Sequence, residues 1–232
     1  MMENIIDDLV NATSKLLAAA PPASRVLISV SGTPGSGKTT LAGKVVNRLN
    51  ALDPNVAAMI PMDGYHLTRA ALSAMPNPLE AHARRGAPFT FDPVALKQLV
   101  LRLKAPITPD SKTIFAPSFD HARKDPVEDD IAILTTQRIL VFEGNYLSLK
   151  TEIWGEISAL FDELWFVSVD RDIARKRLIA RHLAAGLVDT EEAAAKRADE
   201  NDLVNGDYII ENMCTPSRVI RSVEDLEYAN SE

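Results

Sequence analysis

Apolar residues form two kinds of pattern along the chain, helical spacing and short unbroken runs. Over about 4–19 they recur every three or four positions, which predicts an N-terminal helix that Pro21 and Pro22 end. Further segments with helical spacing lie at about 41–49, 93–103, 150–160, 171–184 and 190–202. Five short apolar runs predict buried strands at 26–30, 56–62, 139–142, 164–169 and 218–220.

Strands that alternate with helices are typical of a parallel sheet with helices on both faces, so an α/β fold is expected. The stretches 76–92 and 106–129 are rich in proline and are expected to be loop-rich insertions around a site. No repeat or linker divides the chain, so one domain over 1–232 is predicted, with its core at about 25–222. The acidic tail after Val223 is expected to fray.

Composition and charge narrow the class of protein. The 232 residues are 46% apolar and 25% charged, as in ordinary soluble globular domains. The net charge of −7 argues against a nucleic-acid partner, so a bound phosphate must be held by a local site. A single cysteine, no signal-like N-terminus and no long apolar run predict a cytoplasmic protein without a membrane partner. The sequence leaves open whether the chain forms a homo-oligomer.

The turn after the first predicted strand carries the most specific motif, G-x-x-x-x-G-K-[ST]. Its glycines let the backbone aim successive N–H groups at phosphate oxygens, and the following helix points its positive end at the same anion. Lys38 can reach the β- and γ-phosphates, and the Thr39 hydroxyl can bind Mg²⁺. The motif predicts a nucleoside-triphosphate site formed by Gly32, Thr33, Pro34, Gly35, Ser36, Gly37, Lys38, Thr39 and Thr40.

Two of the predicted strands end in an acidic residue followed by glycine, Asp63-Gly64 and Glu143-Gly144. The carboxyl ends of parallel strands meet at the edge of the sheet where ligands bind, so both carboxylates are expected near the phosphate loop. One carboxylate could accept a proton from a substrate hydroxyl, and the other could hold water bound to magnesium. The structural alternatives are a turn residue for Asp63 and an ion pair for Glu143.

Several classes of phosphate-loop protein compete at this point. A GTPase should carry N-K-x-D, and no asparagine in this chain precedes lysine. A ring ATPase would usually have a longer chain and a strand ending in D-[DE]. The acidic strand ends favour a small-molecule kinase. A nucleoside-triphosphate hydrolase without an acceptor and a nucleotide-sensing protein remain as alternatives.

Basic residues crowd the segment 171–182 of an otherwise acidic chain. Arg177 and Arg181 are four positions apart and share one helix face. Their planar guanidinium groups suit two-point binding of phosphate oxygens. The alternative is a solvated helix face whose charge is balanced by Asp170 and Asp172.

Five segments in this order resemble the superfamily of uridine kinase, phosphoribulokinase and bacterial-type pantothenate kinase. The segment 32–39 resembles its phosphate loop, and 63–66 resembles its D-[SG]-[FY] strand end. The segment 84–92 resembles R-K-G-x-P-x-S-Y-D of pantothenate kinases, 115–121 resembles a P-x-Y-[DS]-[FH] substrate loop, and 140–144 resembles the E-G strand end. The similarity covers roughly 25–222.

The resemblance implies a three-layer P-loop fold with a helical lid over about 171–202, and ATP-dependent phosphorylation of a small hydroxyl compound with Mg²⁺. By motif position, Asp63 would be the general base, and Glu143 with Thr39 would lie in the magnesium shell. Arg177 and Arg181 would close over the triphosphate. Tyr65-His66 and 145–147 follow neither the uridine kinase nor the pantothenate kinase wording, so a nucleoside, a pantothenate-like compound, a sugar and a hydroxy acid all remain possible acceptors.

The predicted acceptor site draws on residues next to these motifs. Arg84 and Arg85 could bind an anionic group or pin a loop, and His66 and His121 could orient hydroxyls or be structural. Asn201 and Asn205 resemble asparagines near the nucleotide base of pantothenate kinases, although helix capping explains them equally well. The full set of predicted acceptor residues is Tyr65, His66, Arg84, Arg85, Asp120 and His121.

Overall fold

A computed structural model describes residues 2–222 of the chain. The predicted fraying of the tail after Val223 lies outside the described residues. The strands are β1 Val26–Gly32, β2 Ala57–Pro61, β3 Ile114–Asp120, β4 Asp125–Ile133, β5 Ile139–Glu143, β6 Glu163–Ser168 and β7 Arg218–Arg221. The α-helices are α1 Met2–Ala19, α2 Lys38–Leu52, α3 Arg69–Ser73, α4 Pro78–Ala83, α5 Pro93–Lys104, α6 Glu152–Ser158, α7 Arg171–Ala184, α8 Glu191–Arg197 and α9 Leu203–Asn212.

Five strands form one parallel sheet in the order β2-β5-β1-β6-β7. The central strands β1 and β5 are buried along their whole length, which explains why they are unbroken apolar runs in the sequence. All five predicted strands are present, with ends that differ by one or two residues. Because β1 and β5 are adjacent, the phosphate loop and the acidic end of β5 lie at the same edge of the sheet.

Helices cover both faces of the sheet and define two cores. On one face, Ile6 and Val10 of α1 share a buried cluster with Leu41 and Val45 of α2. On the other face, the cluster combines α5 and α6 with the inner side of β5, and Leu96, Trp154 and Phe142 are among its members. This arrangement confirms the predicted three-layer α/β fold. No helix in residues 2–222 combines the length and the apolar content that crossing a bilayer requires.

The stretch 106–129 is not the loop-rich insertion that its prolines predict. Most of it belongs to an antiparallel hairpin of β3 and β4, which pairs only with itself. Pro117 lies at an irregularity of this hairpin, and Pro126 lies near its turn, positions that spare proline a lost ladder hydrogen bond. The other insertion, 76–92, contains α4 and a short 3₁₀ turn, Pro88–Thr90.

The segment 171–202, predicted as a helical lid, is helical, although its second part differs from expectation. Below, the lid denotes this segment together with α9. The predicted helix at 190–202 is α8 followed by a π-helical turn, Ala198–Asp202, which continues into α9. A small apolar cluster that includes Leu178, Ala198 and Leu203 packs α7 against this turn. π-helical turns shift the helix register by one residue and are frequent at functional sites.

Candidate active site

The phosphate loop connects β1 to the N-terminus of α2. Gly35 has a φ of 79°, in the left-handed region that glycine tolerates best, and a Cβ there would lie 2.9 Å from the carbonyl oxygen of Ala174. The loop therefore packs directly against the first turn of α7. Gly206 of α9 is also close, since a Cβ added there would lie 3.5 Å from the Thr33 side chain. The lid helices thus contact the loop from two directions.

Lys38, Thr39 and Glu143 form the buried centre of the site. Lys38 Nζ lies 3.9 Å from Glu143 Oε1, and the Thr39 hydroxyl donates a hydrogen bond to the same oxygen at 3.0 Å. The Lys38 and Glu143 side chains are only 11% and 8% exposed. Burial raises the pKa of Glu143, an effect that the Lys38 charge opposes. Burial likewise lowers the pKa of Lys38, while Glu143 acts against that change.

The Thr39 and Glu143 oxygens fit a magnesium ion. Mg²⁺ prefers hard oxygen ligands and is commonly held by one or two protein side chains together with phosphate oxygens and water. The Thr39 hydroxyl and the Glu143 carboxylate supply two such oxygens beside the phosphate loop. These two residues would hold the ion, and the ion when bound would neutralise charge on the triphosphate.

Asp63 lies in the 3₁₀ turn Met62–Tyr65 that follows β2. Gly64 allows this turn to touch the hairpin, because a Cβ there would lie 2.1 Å from the carbonyl oxygen of Pro117. The Asp63 charge raises the pKa values of both Lys38 and Glu143. All three side chains therefore share one end of the sheet. The Asp63 side chain is 47% exposed, in contrast to the buried Glu143. It is therefore the carboxylate of the two that an incoming compound can reach.

His66 lies beside Asp63 and contacts two aromatic rings. Its ring is 4.0 Å from that of Phe91 and 4.8 Å from that of Phe119, measured between centroids. Nδ1 lies 2.8 Å from the Asp63 backbone oxygen and 3.9 Å from its carboxylate. A carbonyl oxygen only accepts hydrogen bonds, so Nδ1 carries the proton. This bond fixes the orientation of the imidazole next to the exposed carboxylate.

The pH dependence of stability should reflect this buried imidazole. Burial lowers the pKa of His66 below its ordinary value of 6.5, and the Asp63 charge opposes the shift. The folded state therefore favours the neutral ring, and its contribution to stability is present above pH 6.5 and is lost as the pH falls below that value. Between about pH 7 and pH 5, the free energy of unfolding should fall more steeply for the wild type than for His66→Phe. Urea denaturation would measure both slopes, and equal slopes would contradict the burial of a titrating ring.

The structure brings two of the basic residues in α7 to the phosphate loop. Arg177 donates hydrogen bonds to the Gly35 carbonyl oxygen at 3.2 Å and to the Ser222 hydroxyl at 2.9 Å. The charge of Arg181 lowers the pKa values of both Lys38 and Glu143, so this side chain also lies near the phosphate loop. Arg175 instead forms an exposed two-point ion pair with Asp199. The face of α7 that carries Arg177 and Arg181 is thus the one turned towards the predicted triphosphate site.

Substitutions in α7 should show whether the face with Arg177 and Arg181 contributes more to turnover than the face with Arg175. Arg177→Ala and Arg181→Ala should lower kcat by about 10-fold to 10²-fold, less than the 10³–10⁵ that one arginine contributes in related phosphoryl transfer, because two share the task. Arg181→Lys should lose much of the same rate, since it keeps the charge without the planar fork. ATP affinity should change less than kcat, because lid closure follows binding. Steady-state kinetics with Arg175→Ala as the control would measure this, and equal damage in the control would rule out a special role.

Arg84 and Arg85 are held within the chain. Arg84 donates to Asn205 Oδ1 at 2.9 Å and lies 3.5 Å from the Glu200 carbonyl oxygen, which ties its loop to the lid. Arg85 donates to the Leu67 carbonyl oxygen at 2.9 Å and to Asp125 at 3.0 Å. It also donates to the Lys124 carbonyl oxygen and lies over the Phe119 ring. These contacts correspond to the alternative in which the two arginines pin a loop.

Of the remaining predicted acceptor residues, His121 lies on the His66 side of the site, since both rings approach Phe119, whereas Tyr65 and Asp120 have other surroundings. Tyr65 is 5% exposed. The charges that influence the pKa of its hydroxyl are those of Glu128, Arg102 and Asp92. Tyr65 lines a cavity of about 360 Å³ between α5 and the hairpin, whose lining does not include Asp63. Asp120 accepts hydrogen bonds from the backbone N–H groups of the hairpin turn, which lower its pKa. His121 lies exposed in that turn.

The structure adds site residues that the sequence patterns did not single out. The Tyr146 hydroxyl donates to the Gly86 carbonyl oxygen, and burial raises the pKa of Tyr146. The Arg84 charge lowers the pKa of this hydroxyl, whereas the Asp202 and Asp63 charges raise it. The Asp202 charge also raises the pKa of Lys38. Asp202 Oδ2 lies 2.8 Å from Nε2 of the buried His182. The lid therefore contributes a carboxylate, which shares the surroundings of Tyr146 with Asp63.

Asn201 and Asn205 do not cap helices. Asn201 is 6% exposed and donates from Nδ2 to the Arg85 carbonyl oxygen at 3.3 Å, and Asn205 is 3% exposed and accepts from Arg84. A signal for these residues was present in the sequence, since Asn201, Asp202 and Asn205 form a polar group on a helix that also carries apolar positions. Asn201 lies within the π-helical turn and Asn205 in the helix that follows it, and a regular helical period does not reveal such a turn.

Comparison with known proteins finds a matching family and similar chains. The model of the phosphoribulokinase / uridine kinase family matches residues 27–198. The chain is 54% identical over 151 residues to ATP-dependent kinase-like protein notR' of Aspergillus versicolor, which is 65% of this chain and 88% of that one. It is 41% identical over 218 residues to a Schizosaccharomyces pombe protein provisionally named uridine kinase C227.14, covering 94% of this chain and 90% of the other.

A solved structure extends the comparison. The crystal structure of a provisionally assigned fructose transport system kinase from Silicibacter sp. TM1040 matches with a TM-score of 0.78 and 31% sequence identity. The match covers 91% of this chain and 98% of that one. The sequence resemblance, the fold and these similarities agree, and the chain belongs to the phosphoribulokinase / uridine kinase family of P-loop kinases.

Proposed function

We propose that the protein transfers the γ-phosphoryl group of MgATP to a hydroxyl group of a small metabolite. Membership of the phosphoribulokinase / uridine kinase family supports phosphotransferase activity and ATP as the donor. The alcohol acceptor is the part of the proposal that rests on the site itself. Its central support is the difference in exposure between the two strand-end carboxylates, Asp63 and Glu143.

The two carboxylates are suited to different tasks. Glu143 is buried, accepts from Thr39 and faces Lys38, which suits a group that stays with the metal and the phosphates. The Asp63 charge raises the pKa of the same lysine, but the Asp63 side chain is 47% exposed. An exposed carboxylate at this place can meet an incoming hydroxyl group and accept its proton as the oxygen attacks phosphorus.

The remaining side chains have roles that follow from their positions. Lys38 would bind the β- and γ-phosphate oxygens, and Arg177 and Arg181 would approach the triphosphate from the lid. The acceptor would lie beside the exposed Asp63 carboxylate, and Asp202 of the lid is a second carboxylate whose charge, like that of Asp63, raises the pKa of Tyr146. Because lid and sheet each supply one of these carboxylates, closure of the lid would complete the acceptor site.

Release of ADP with and without acceptors tests this proposal. The protein is mixed with MgATP alone and then with nucleosides, sugars, hydroxy acids and pantothenate in turn. We expect at least one acceptor to raise the rate about tenfold or more above that with ATP alone. An equal rate under all conditions would favour a nucleoside-triphosphate hydrolase, and ATP binding without any turnover would favour a nucleotide sensor.

A further inference from the structure

The segment 84–86, which we call the connector, lies between the hairpin and the lid. Arg84 donates a hydrogen bond from its guanidinium group to Asn205 Oδ1 of α9 at 2.9 Å. The Arg85 side chain donates to Asp125 Oδ1, at the start of β4, at 3.0 Å. Asn201 of the lid also donates to the Arg85 carbonyl oxygen at 3.3 Å. Two neighbouring arginines therefore join two elements that are far apart in the sequence.

The hairpin depends on the connector for its attachment. It pairs only with itself, and in residues 2–222 its hydrogen bonds to other elements come from the Arg85 side chain and from the Arg69 backbone N–H group. The Arg85 guanidinium carbon also lies 5.4 Å from the centroid of the Phe119 ring in β3. Among the described residues outside the hairpin, Arg85 is thus the one whose side chain hydrogen bonds to it.

The lid end of the connector reaches the nucleotide side of the site. Asn205, which binds Arg84, is followed by Gly206. A Cβ added to Gly206 would lie 3.5 Å from the Thr33 side chain of the phosphate loop, an ordinary contact distance. The helix α9 therefore contacts both the connector and the loop that would bind the triphosphate.

The hairpin end of the connector reaches the proposed general base. A Cβ added to Gly64 would lie 2.1 Å from the Pro117 carbonyl oxygen, so the hairpin packs against the turn that carries Asp63. Phe119 of the same hairpin has its ring centroid 4.8 Å from that of His66, whose Nδ1 lies 2.8 Å from the Asp63 backbone oxygen. The position of the hairpin therefore determines the surroundings of the Asp63 carboxylate.

A continuous series of contacts runs from the phosphate loop through the connector to Asp63. Such contacts couple two sites when a ligand at one of them changes the order of the element that both share. We infer, on the basis of the proposed function, that Arg84 and Arg85 are positioning residues that couple the two sides of the site. A bound nucleotide orders the lid, and the connector in turn orders the hairpin beside Asp63, where the acceptor would lie.

The alternative is that both arginines only anchor the hairpin. An anchor holds the hairpin equally with and without nucleotide, whereas a coupling element makes the order of the hairpin depend on the nucleotide. Arg84→Ala separates the two roles, because in residues 2–222 the hydrogen bonds of the Arg84 side chain go only to Asn205 and Glu200 of the lid. An effect of this substitution on the hairpin must therefore pass through the connector.

Hydrogen exchange of the full chain, measured by mass spectrometry with and without the nonhydrolysable nucleotide MgAMP-PNP, tests the inference without an acceptor. In the wild type, we expect the nucleotide to slow amide exchange in the phosphate loop, in α9 and in the hairpin. The effect on the hairpin should be about fivefold or more, the lower end of typical couplings between sites. In Arg84→Ala, the phosphate loop should keep its protection, while the effect on the hairpin should fall below about twofold.

Two comparisons make this result specific to the connector. Arg175→Ala removes an exposed arginine of the lid that pairs with Asp199, and it should keep the effect of the nucleotide on the hairpin. Asn205→Ala should lose that effect as Arg84→Ala does, whereas Asn205→Asp retains an oxygen for Arg84 and should preserve it. Asn205→Ala also takes the place of Arg84→Ala if the latter does not fold.

Kinetics add a readout in the reaction itself. The acceptor is the compound with the fastest ADP release among the nucleosides, sugars, hydroxy acids and pantothenate. Its KM in the wild type should fall by about fivefold or more as MgATP is raised from well below to well above its own KM, because coupling between sites is reciprocal. In Arg84→Ala the fall should be less than about twofold. A fall of equal size in both proteins would overturn the inference.

The exchange experiment separates failure of the inference from failure of the proposed function. Hairpin exchange that the nucleotide leaves unchanged in the wild type would overturn the inference and leave the kinase function intact. Full protection of the hairpin in Arg84→Ala and Asn205→Ala, or an equal loss in Arg175→Ala, would do the same. A phosphate loop that MgAMP-PNP does not protect in the wild type would contradict the nucleotide site and overturn both.

Discussion

Lys38→Ala should lower kcat by roughly 10²–10⁴ while the fold persists, a loss comparable to or larger than that of one preorganised donor at a developing charge. The Lys38 ammonium faces the phosphate loop and Glu143 and belongs to neither apolar core. Its contact with the transferred phosphoryl group strengthens as charge develops there, so kcat should fall more than ATP affinity. Steady-state kinetics and ATP binding by calorimetry would measure the two effects.

The same substitution also has a predictable effect on Glu143. Without the lysine charge, the pKa of this carboxyl would rise further, because the largest of the influences that oppose the effect of burial is gone. Lys15→Ala, on the exposed side of α1, is a suitable control and should leave kcat unchanged. Near-normal turnover in Lys38→Ala would show that this glycine-rich turn is not the phosphate-binding loop of the reaction.

Asp63→Asn should lower turnover by roughly 10²–10⁴, the usual contribution of general acid–base catalysis. The amide keeps the size of the carboxylate and can still hydrogen bond, but it cannot accept the proton of the acceptor hydroxyl. ATP binding should change little, because Thr39 and Glu143, rather than Asp63, lie directly beside the phosphate loop. Kinetics at saturating acceptor, together with the affinity for MgATP, would separate the two effects.

Asp110→Asn, in an exposed loop, is the matched control for the change of carboxylate to amide. It should retain full activity and the same affinity for MgATP. A parallel loss of ATP affinity and turnover in Asp63→Asn would identify Asp63 as part of the metal site instead. That result would leave the proposed base without support while preserving the assignment of the phosphate loop.

The sheet and the phosphate loop could be predicted because their signals are local. Buried parallel strands are unbroken apolar runs, and the loop motif depends on residues within eight positions of one another. The hairpin of β3 and β4 could not be predicted in the same way. Its strands contain Pro117 and Pro126, and apart from Ala116 and Ile133 their residues are half-buried or exposed. They therefore lack the apolar alternation that identifies most strands.

The acceptor side of the site was harder to predict because its contacts connect distant parts of the chain. Arg84 binds Asn205, which is 121 positions away, and Arg85 binds Asp125, which is 40 positions away. In the sequence, two adjacent arginines equally suit anion binding and loop pinning. Asp202 reaches the site through a π-helical turn, and a polar residue on a helix is more often a solvated one.

The fate of the γ-phosphoryl group tests the central claim most directly. Phosphorus NMR of the reaction of the protein with MgATP and its best acceptor distinguishes a new phosphate monoester from inorganic phosphate. The account predicts one monoester formed for each ADP released in the wild type, and formation slowed by roughly 10²–10⁴ in Asp63→Asn. Inorganic phosphate as the sole product, at a rate that the acceptor does not change, would contradict it.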